Sequence, residues 1–297
     1  MLIVAAFYHF APLPDPAALR APLLAECVAA GLRGTILLAP EGVNGTVAGT
    51  RQGIDAVLAH LRALPGLAGV AAKESPAPAL PFARMKVRLK REIVSMGQPG
   101  VNPVAAVGRY VAAADWNALI SAPDVAVIDT RNSYEVAIGS FSGAVDPGTA
   151  TFRDFPAWWQ ANADRFRGKR IAMFCTGGIR CEKSTNYLLG QGVAQVFHLQ
   201  GGVLKYLEDV PQDESLWQGE CFVFDQRVSV GHGLVPGALG LCFACRRPLA
   251  DADRAHPDHE AGVSCAACLP EHSDADRARF RERQRQFDLA RMRGEGS

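Results

Sequence analysis

Three short runs, Val125–Asp129, Arg170–Phe174 and Gln195–Leu199, are almost wholly apolar, and helical patterns near Phe155–Phe166, Cys181–Gln191 and Val203–Asp209 alternate with them. A strand with no polar face must be covered on both sides, so this alternation predicts a parallel sheet with helices on both faces. The chain before it follows a different pattern. An apolar run at residues 2–10 leads to Asp15-Pro16, an N-cap followed by proline at the first helical position, which predicts a helix to about Ala30. Two short strands, Thr35–Ala39 and Thr46–Ala48, flank the turn sequence Pro40-Glu41-Gly42-Val43-Asn44-Gly45. Thr50 caps a second helix to about Leu64, and Phe82–Val94 forms a last extended stretch. The order βαββαβ suits a ferredoxin-like layer of two helices on an antiparallel sheet. Gly97–Pro103 reads as a linker, and past Gly219 the chain becomes rich in Cys, His and Pro and then in charge. The expected class is therefore α/β and α+β multidomain: a ferredoxin-like domain at 1–97, a parallel-sheet domain at 98–219, and a small C-terminal unit with a basic helical tail at 220–297.

A chain of 297 residues, 48% of them apolar, can build two or three domains with a sizeable core. Lys and Arg number 31 against 30 Asp and Glu, so a nucleic-acid contact must come from local clustering of cations. The first residues, Met1–Phe7, lack the basic lead-in and small-residue cleavage site of a secretion signal, and no run has the roughly 18 apolar residues of a membrane span. A cytoplasmic location with no membrane partner is expected. In a reducing compartment eight cysteines are catalytic, metal-binding or packing residues rather than disulfides. Cys27 and Cys221 stand alone and read as packing residues; the other six fall into groups.

Cys175 lies where a parallel strand should end and Cys181 where the next helix should begin, so the loop between them projects at the carboxyl edge of the sheet, where such folds bind ligands. In Cys175-Thr176-Gly177-Gly178-Ile179-Arg180 the two glycines let backbone N–H groups turn inward, and the helix that follows adds its positive end. An anion on Cys175 is favoured there, which marks it as a nucleophile held as thiolate in a cradle of Thr176, Gly177, Gly178 and Ile179. Arg180 adds a positive charge at the rim, and Cys181 is close enough in sequence to act as a resolving thiol. Cysteine phosphatases place five residues between nucleophile and arginine. Here there are four, and the tighter loop suits a sulfur atom better than a tetrahedral phosphate.

Several motifs resemble known families. The loop Cys175–Arg180, Asp129-Thr130-Arg131 with Tyr134-Glu135, and the pair Gly201-Gly202 resemble rhodaneses, in which the cysteine carries sulfur as a persulfide. Gly139-Ser140-Phe141-Ser142-Gly143-Ala144 lacks the His and Pro of the rhodanese Gly-His-x-Pro-Gly-Ala, and Thr176 stands where many sulfurtransferases have Arg; both departures leave thiosulfate unsupported as a substrate. Three longer stretches, Glu41–Gly49, Cys175–Lys183 and Phe222–Gly233, together resemble the bacterial tRNA uridine-34 hydroxylases over nearly the whole chain. That resemblance implies formation of 5-hydroxyuridine at the tRNA wobble position, with molecular oxygen as co-substrate and the loop cysteine required. A nucleophile adding at uracil C6 places electron density on C5, and a thiolate or persulfide on Cys175 suits that task. The sequence offers no dinucleotide fingerprint and no two-His, one-carboxylate iron site, and the reductant is unknown. A persulfide-forming sulfurtransferase, or an RNA-binding or sulfur-carrier module, remains open beside this reading.

Cys242-x-x-Cys245 and, nineteen residues on, Cys265-x-x-Cys268 have the spacing of two knuckles around one structural Zn²⁺, with His256, His259 and His272 as lesser candidates. On Arg84-Met85-Lys86-Val87-Arg88-Leu89-Lys90, strand alternation puts Arg84, Lys86, Arg88 and Lys90 on one face, suited to tRNA phosphates. The tail Asp274–Arg293 adds seven arginines against four acids, with Phe280 and Phe287 on one helical stripe. His232, between two glycines, is a possible acid or base near the cleft, while Glu41 and Asn44 read as turn residues.

Overall fold

A computed structural model describes residues 2–293, without the side chain of Arg291; Met1 and that arginine's contribution to the tail lie outside the described residues. The N-terminal part folds as β1 (Leu2–Phe10), α1 (Pro16–Ala29), β2 (Arg33–Ala39), β3 (Gly42–Gly49), α2 (Arg51–Ala63), β4 (Ala71–Ala77) and β5 (Met85–Leu89). Asp15 caps α1 by accepting from the Ala18 N–H at 3.0 Å, and Thr50 caps α2 through the Gly53 N–H at 3.2 Å. The sheet order is β4-β1-β3-β2-β5, antiparallel except for β2 with β5. Ile36, Leu38, Val47 and Val87 turn to one face, where Leu23, Ile54 and Leu61 of the two helices close an apolar core.

Two expectations fail here for identifiable reasons. The fourth strand is Ala71–Ala77, whose Lys, Glu and Pro are poor strand formers tolerated at a sheet edge; the Phe82–Val94 stretch instead contributes a fifth strand, parallel to β2. The turn of the β2–β3 hairpin is Pro40-Glu41 alone, and Asn44-Gly45 lies inside β3. A side chain at Gly45 would press on Phe7 at 2.9 Å and Ile36 at 3.1 Å, so this glycine serves close packing rather than a turn.

The second part contains β6 (Arg109–Val111), α3 (Ala113–Ile120), β7 (Val125–Asp129), α4 (Ser133–Val136), β8 (Gly139–Phe141), α5 (Phe155–Asn162), β9 (Arg170–Phe174), α6 (Ile179–Gly190), β10 (Val196–Leu199), α7 (Gly202–Asp209) and β11 (Trp217–Gly219). Its sheet has the order β6-β10-β9-β7, all parallel. Alternation along β9 sends Ala172 and Phe174 into a core with Trp116 and Tyr206, and Ile171 and Met173 into one with Phe155 and Leu188, so both faces are covered. Cys221, Val223 and Val230 join the first of these cores, so the chain past β11 packs on this sheet before it reaches the cysteine-rich part. That last stretch holds β12 (Cys221–Phe222), β13 (Ser229–Val230), β14 (Gly240–Leu241), β15 (Pro248–Leu249), α8 (Asp251–Arg254) and α9 (Asp274–Met292). No helix among the described residues is long and apolar enough to cross a membrane.

Candidate active site and metal centre

Cys175 directly follows β9, and Gly178, at φ +97°, is the N-cap of α6. This left-handed glycine turns its N–H onto the Cys175 Sγ at 3.1 Å. The Cys175 and Thr176 carbonyls accept from the Val203 and Leu204 N–H groups at the start of α7, each at 3.0 Å. That approach requires Gly202, where a Cβ would meet the Cys175 carbonyl oxygen at 2.5 Å. The thiol is fully buried, which alone would raise its pKa. Donation from the Cys181 thiol, the Arg180 charge and the N–H groups of Cys181 and Arg180 outweigh burial and hold it well below the usual thiol range. Cys181 shifts the other way, raised by burial first and then by the neighbouring Cys175.

Arg180 does not stand at the rim. It is buried and gives two bonds to Glu135, at 2.7 and 2.8 Å, and one to Thr176 at 3.2 Å, while the Thr176 hydroxyl donates to Glu135 at 3.1 Å. A bare charge so deep would be unstable, so Glu135 compensates it, and what reaches Cys175 is the field of the pair. Behind it Arg131 and Asp129, both wholly buried, pair at 2.5 Å, and the Ser140 hydroxyl donates to Asp129 at 2.8 Å. Ser140, in the stretch that departs from the rhodanese pattern, is thus a partner of the Asp-x-Arg motif.

A cavity of about 700 Å³ lies above the loop. Its opposite wall is the free face of the N-terminal sheet, with Tyr8, Thr35, Leu37, Asn44 and Lys73, and its side is closed by Val223–Arg227, including Phe224, which is 60% exposed. Two residues cross from that sheet to the loop. Lys73 donates to the Gly177 carbonyl and sits 5.3 Å from the Tyr8 ring, with its pKa lowered by burial. Tyr8 donates to Glu182 at 3.0 Å, and Tyr110 donates to the same carboxylate at 2.8 Å. Beside them Lys183, 2% exposed, pairs with Glu41 at 2.8 Å and Glu92 at 2.6 Å. Glu41 also accepts from the Ile93 N–H at 2.6 Å, and Asn44 donates to the Ile93 carbonyl at 2.9 Å. Glu41 therefore ties the N-terminal domain to α6, and Asn44 holds the segment that follows β5, so neither is a turn residue alone.

Tyr8, Lys73 and Glu92 escaped the sequence reading because each acts across a domain boundary, and Tyr110 because its partner Glu182 lies 72 residues away in the same domain. The only local signal was Glu182-Lys183, two charges in the first turns of a helix expected to be buried. His232 is outside the cavity lining, and its Nε2 is buried without a hydrogen-bond partner among the described residues. Strand pairing sets Lys86 opposite Thr35 and Arg88 opposite Leu37, so the cationic row continues the face that lines the cavity. Lys86 is held below its usual range by burial first and then by Arg84, Arg88 and Arg246. The tail is less available than its composition suggests: Arg277, Arg279 and Arg285 pair with acids three residues back, Arg281 with Glu260, and Arg283 with the Phe243 and Gly262 carbonyls.

The sulfur atoms of Cys242, Cys245, Cys265 and Cys268 lie within 4.8 Å of one another and could hold a metal ion. His256, His259 and His272 are not part of this group.

Residues 2–93 match the family described as UPF0176 acylphosphatase like domain, and residues 112–209 match the Rhodanese-like domain family. A protein of Jannaschia sp. (strain CCS1) named tRNA uridine(34) hydroxylase is 67% identical over 295 residues, covering 99% of this chain and 98% of its own. Proteins of the same name from Ruegeria pomeroyi and Gluconobacter oxydans are 64% and 58% identical, each over 99% of this chain and over 98% and 95% of their own lengths.

Proposed function

Because this chain belongs to the tRNA uridine(34) hydroxylase family, we propose that it uses oxygen to hydroxylate C5 of the tRNA wobble uridine, with Cys175 as the nucleophile that adds to C6. The observation that carries this reading is the Cys175 sulfur, which accepts the inward Gly178 N–H at 3.1 Å at the floor of a cavity large enough for a nucleoside, with its pKa lowered by the Cys181 thiol, the Arg180 charge and backbone N–H groups. Addition at C6 makes C5 an enolate carbon, the site where oxygen enters. Phe224 offers an exposed ring for stacking a base drawn out of the anticodon, and Arg84, Lys86, Arg88 and Lys90 lie where flanking phosphates would pass.

We take the chain as three units at 1–97, 98–219 and 220–297, the first a ferredoxin-like layer with an added edge strand, all in the cytoplasm. The four cysteines are assigned to structural zinc. A tetrahedron with Zn–S bonds of about 2.3 Å has edges of about 3.8 Å, and three of the S–S separations are 3.6, 3.8 and 3.9 Å. Four thiolates would close the coordination sphere, leaving the ion no open position for substrate.

Nucleoside analysis of tRNA incubated in air with the protein and with Cys175→Ser tests the reading. The expected result is 5-hydroxyuridine from the wild type and a loss of at least about a thousandfold in the variant. Hydroxylation by Cys175→Ser at the wild-type rate would remove Cys175 from the chemistry, and a thionucleoside in place of 5-hydroxyuridine would favour sulfur transfer.

A further inference from the structure

Inserting one atom of O₂ into a C–H bond leaves the second atom to be reduced to water, which takes two electrons and two protons. A pair of thiols that closes to a disulfide yields that number of each. Resting on the hydroxylase reading, we propose that Cys175 and Cys181 together are the internal reductant of the reaction, with Cys181 as the resolving thiol. Both sulfurs are fully buried in the same core on the same face of the parallel sheet. The Gly178 N–H holds the Cys175 sulfur at 3.1 Å, while the Thr130 hydroxyl donates to the Phe174 carbonyl, next to Cys175, at 2.8 Å and lies 3.7 Å from the Cys181 sulfur, so both sulfurs flank one turn. Cys181 sits in the first turn of α6, with its N–H bound to the Gly178 carbonyl at 3.0 Å, so the loop that cradles Cys175 also fixes its neighbour. Cys27 lies in the N-terminal core and Cys221 in the core on the opposite face.

The atoms balance as follows. The Cys175 thiolate bonds to C6, and the resulting C5 enolate takes O₂ and a proton to give a C5 hydroperoxide. The O–O bond breaks as its outer oxygen passes to the Cys175 sulfur, leaving a hydroxyl on C5. Loss of the C5 hydrogen and cleavage of the C6–S bond release 5-hydroxyuridine and leave Cys175 as a sulfenic acid. The Cys181 sulfur then displaces hydroxide from it, forming the S–S bond, and the thiol proton leaves with that oxygen as water. In sum, uridine, O₂ and two thiols give 5-hydroxyuridine, a disulfide and water. A dithiol reductant restores the pair for the next cycle.

Trypsin reads the result directly, because cleavage after Arg170, Arg180 and Lys183 separates the two cysteines into Ile171–Arg180 and Cys181–Lys183. The full-length protein is reduced, freed of thiol under nitrogen, and mixed with tRNA in air. The expected outcome is a burst of about one 5-hydroxyuridine per chain, with these two peptides joined and two hydrogens lighter in proportion to product; adding dithiothreitol restores continuous turnover. Cys181→Ser should stop after one thiol-free turnover with a dimedone-reactive Cys175 and no joined peptide. Product without the joined peptide, or many turnovers without thiol, overturns the proposal while leaving the hydroxylase reading intact. No 5-hydroxyuridine at any thiol concentration overturns both.

Discussion

The loop thiols and the four C-terminal thiols are the same residue set in opposite surroundings. Cys175 meets N–H groups, the Arg180–Glu135 pair and one other thiol, at the floor of a cavity. Cys242, Cys245, Cys265 and Cys268 meet one another, and hairpin backbone closes around them. Fixed donors around a sulfur favour its anion, whereas four sulfurs gathered within 4.8 Å of one another could share their charge with a metal ion and so hold the fold together.

The strongest way to break this contrast is to remove the metal. A tight chelator should melt the segment around residues 240–272, since structural zinc sites hold on the order of 10 kcal/mol of binding free energy. Circular dichroism and proteolysis would register the loss, and Cys175 should keep its reactivity toward alkylation. A Cys175 that falls silent on chelation would show the two thiol groups to be coupled.

A smaller effect should follow from Arg180→Met. The variant leaves Glu135 buried and unpaired, at a cost of about 3–5 kcal/mol in urea unfolding. It should also raise the pH at which Cys175 ionises, because the Arg180 charge is one of the causes that lower it. An unchanged ionisation would assign the whole anion preference to backbone amides and the Cys181 thiol.

Alkylation by iodoacetamide, resolved by peptide mapping, separates the thiols by pH. A thiol with a depressed pKa stays thiolate as pH falls below the ordinary range, so the Cys175 rate should hold steady from pH 8 to about 6. A model thiol loses about tenfold per unit over that interval. Cys27 and Cys221, each pushed up to about 12 chiefly by burial, should stay unmodified. Absolute rates report access to the buried sulfur; only their pH dependence reports ionisation.

The smallest effect expected joins the two regions. Arg246, beside Cys245, adds its charge to the row that surrounds Lys86. Reversal of Lys86, Arg88 or Arg246 to Glu should weaken tRNA binding and lower its salt slope by about one per charge, with catalysis at saturating tRNA little changed. An unaltered slope would take this row out of the phosphate path.

Much of the fold was legible because local patterns carried it. The apolar runs of β7, β9 and β10 have no polar face, and Asp15 and Thr50 begin their helices as caps of that type do. The edge strand β4 was illegible because Ala71-Ala-Lys-Glu-Ser-Pro-Ala77 has no strand preference of its own; pairing with β1 imposes one. Asn44-Gly45 misled for the opposite reason, a strong turn signal overruled by packing on Phe7 and by a bond to Ile93. In the tail, composition counted arginines but not their partners, which lie one helical turn away or across the knuckle.

The sequence by itself determined the positions of the reactive sulfur and of the four clustered thiols, since a six-residue glycine loop between strand and helix and two Cys-x-x-Cys pairs are set by covalent spacing. Only the tertiary structure decided what those sulfurs face. It turned Arg180 inward onto Glu135, set Cys181 in the same buried core as Cys175, and brought Tyr8 and Lys73 more than a hundred residues along the chain to the loop. Charge and hydrogen bonding act through space over a few ångströms, and no spacing along the chain encodes which distant side chains fall within that range.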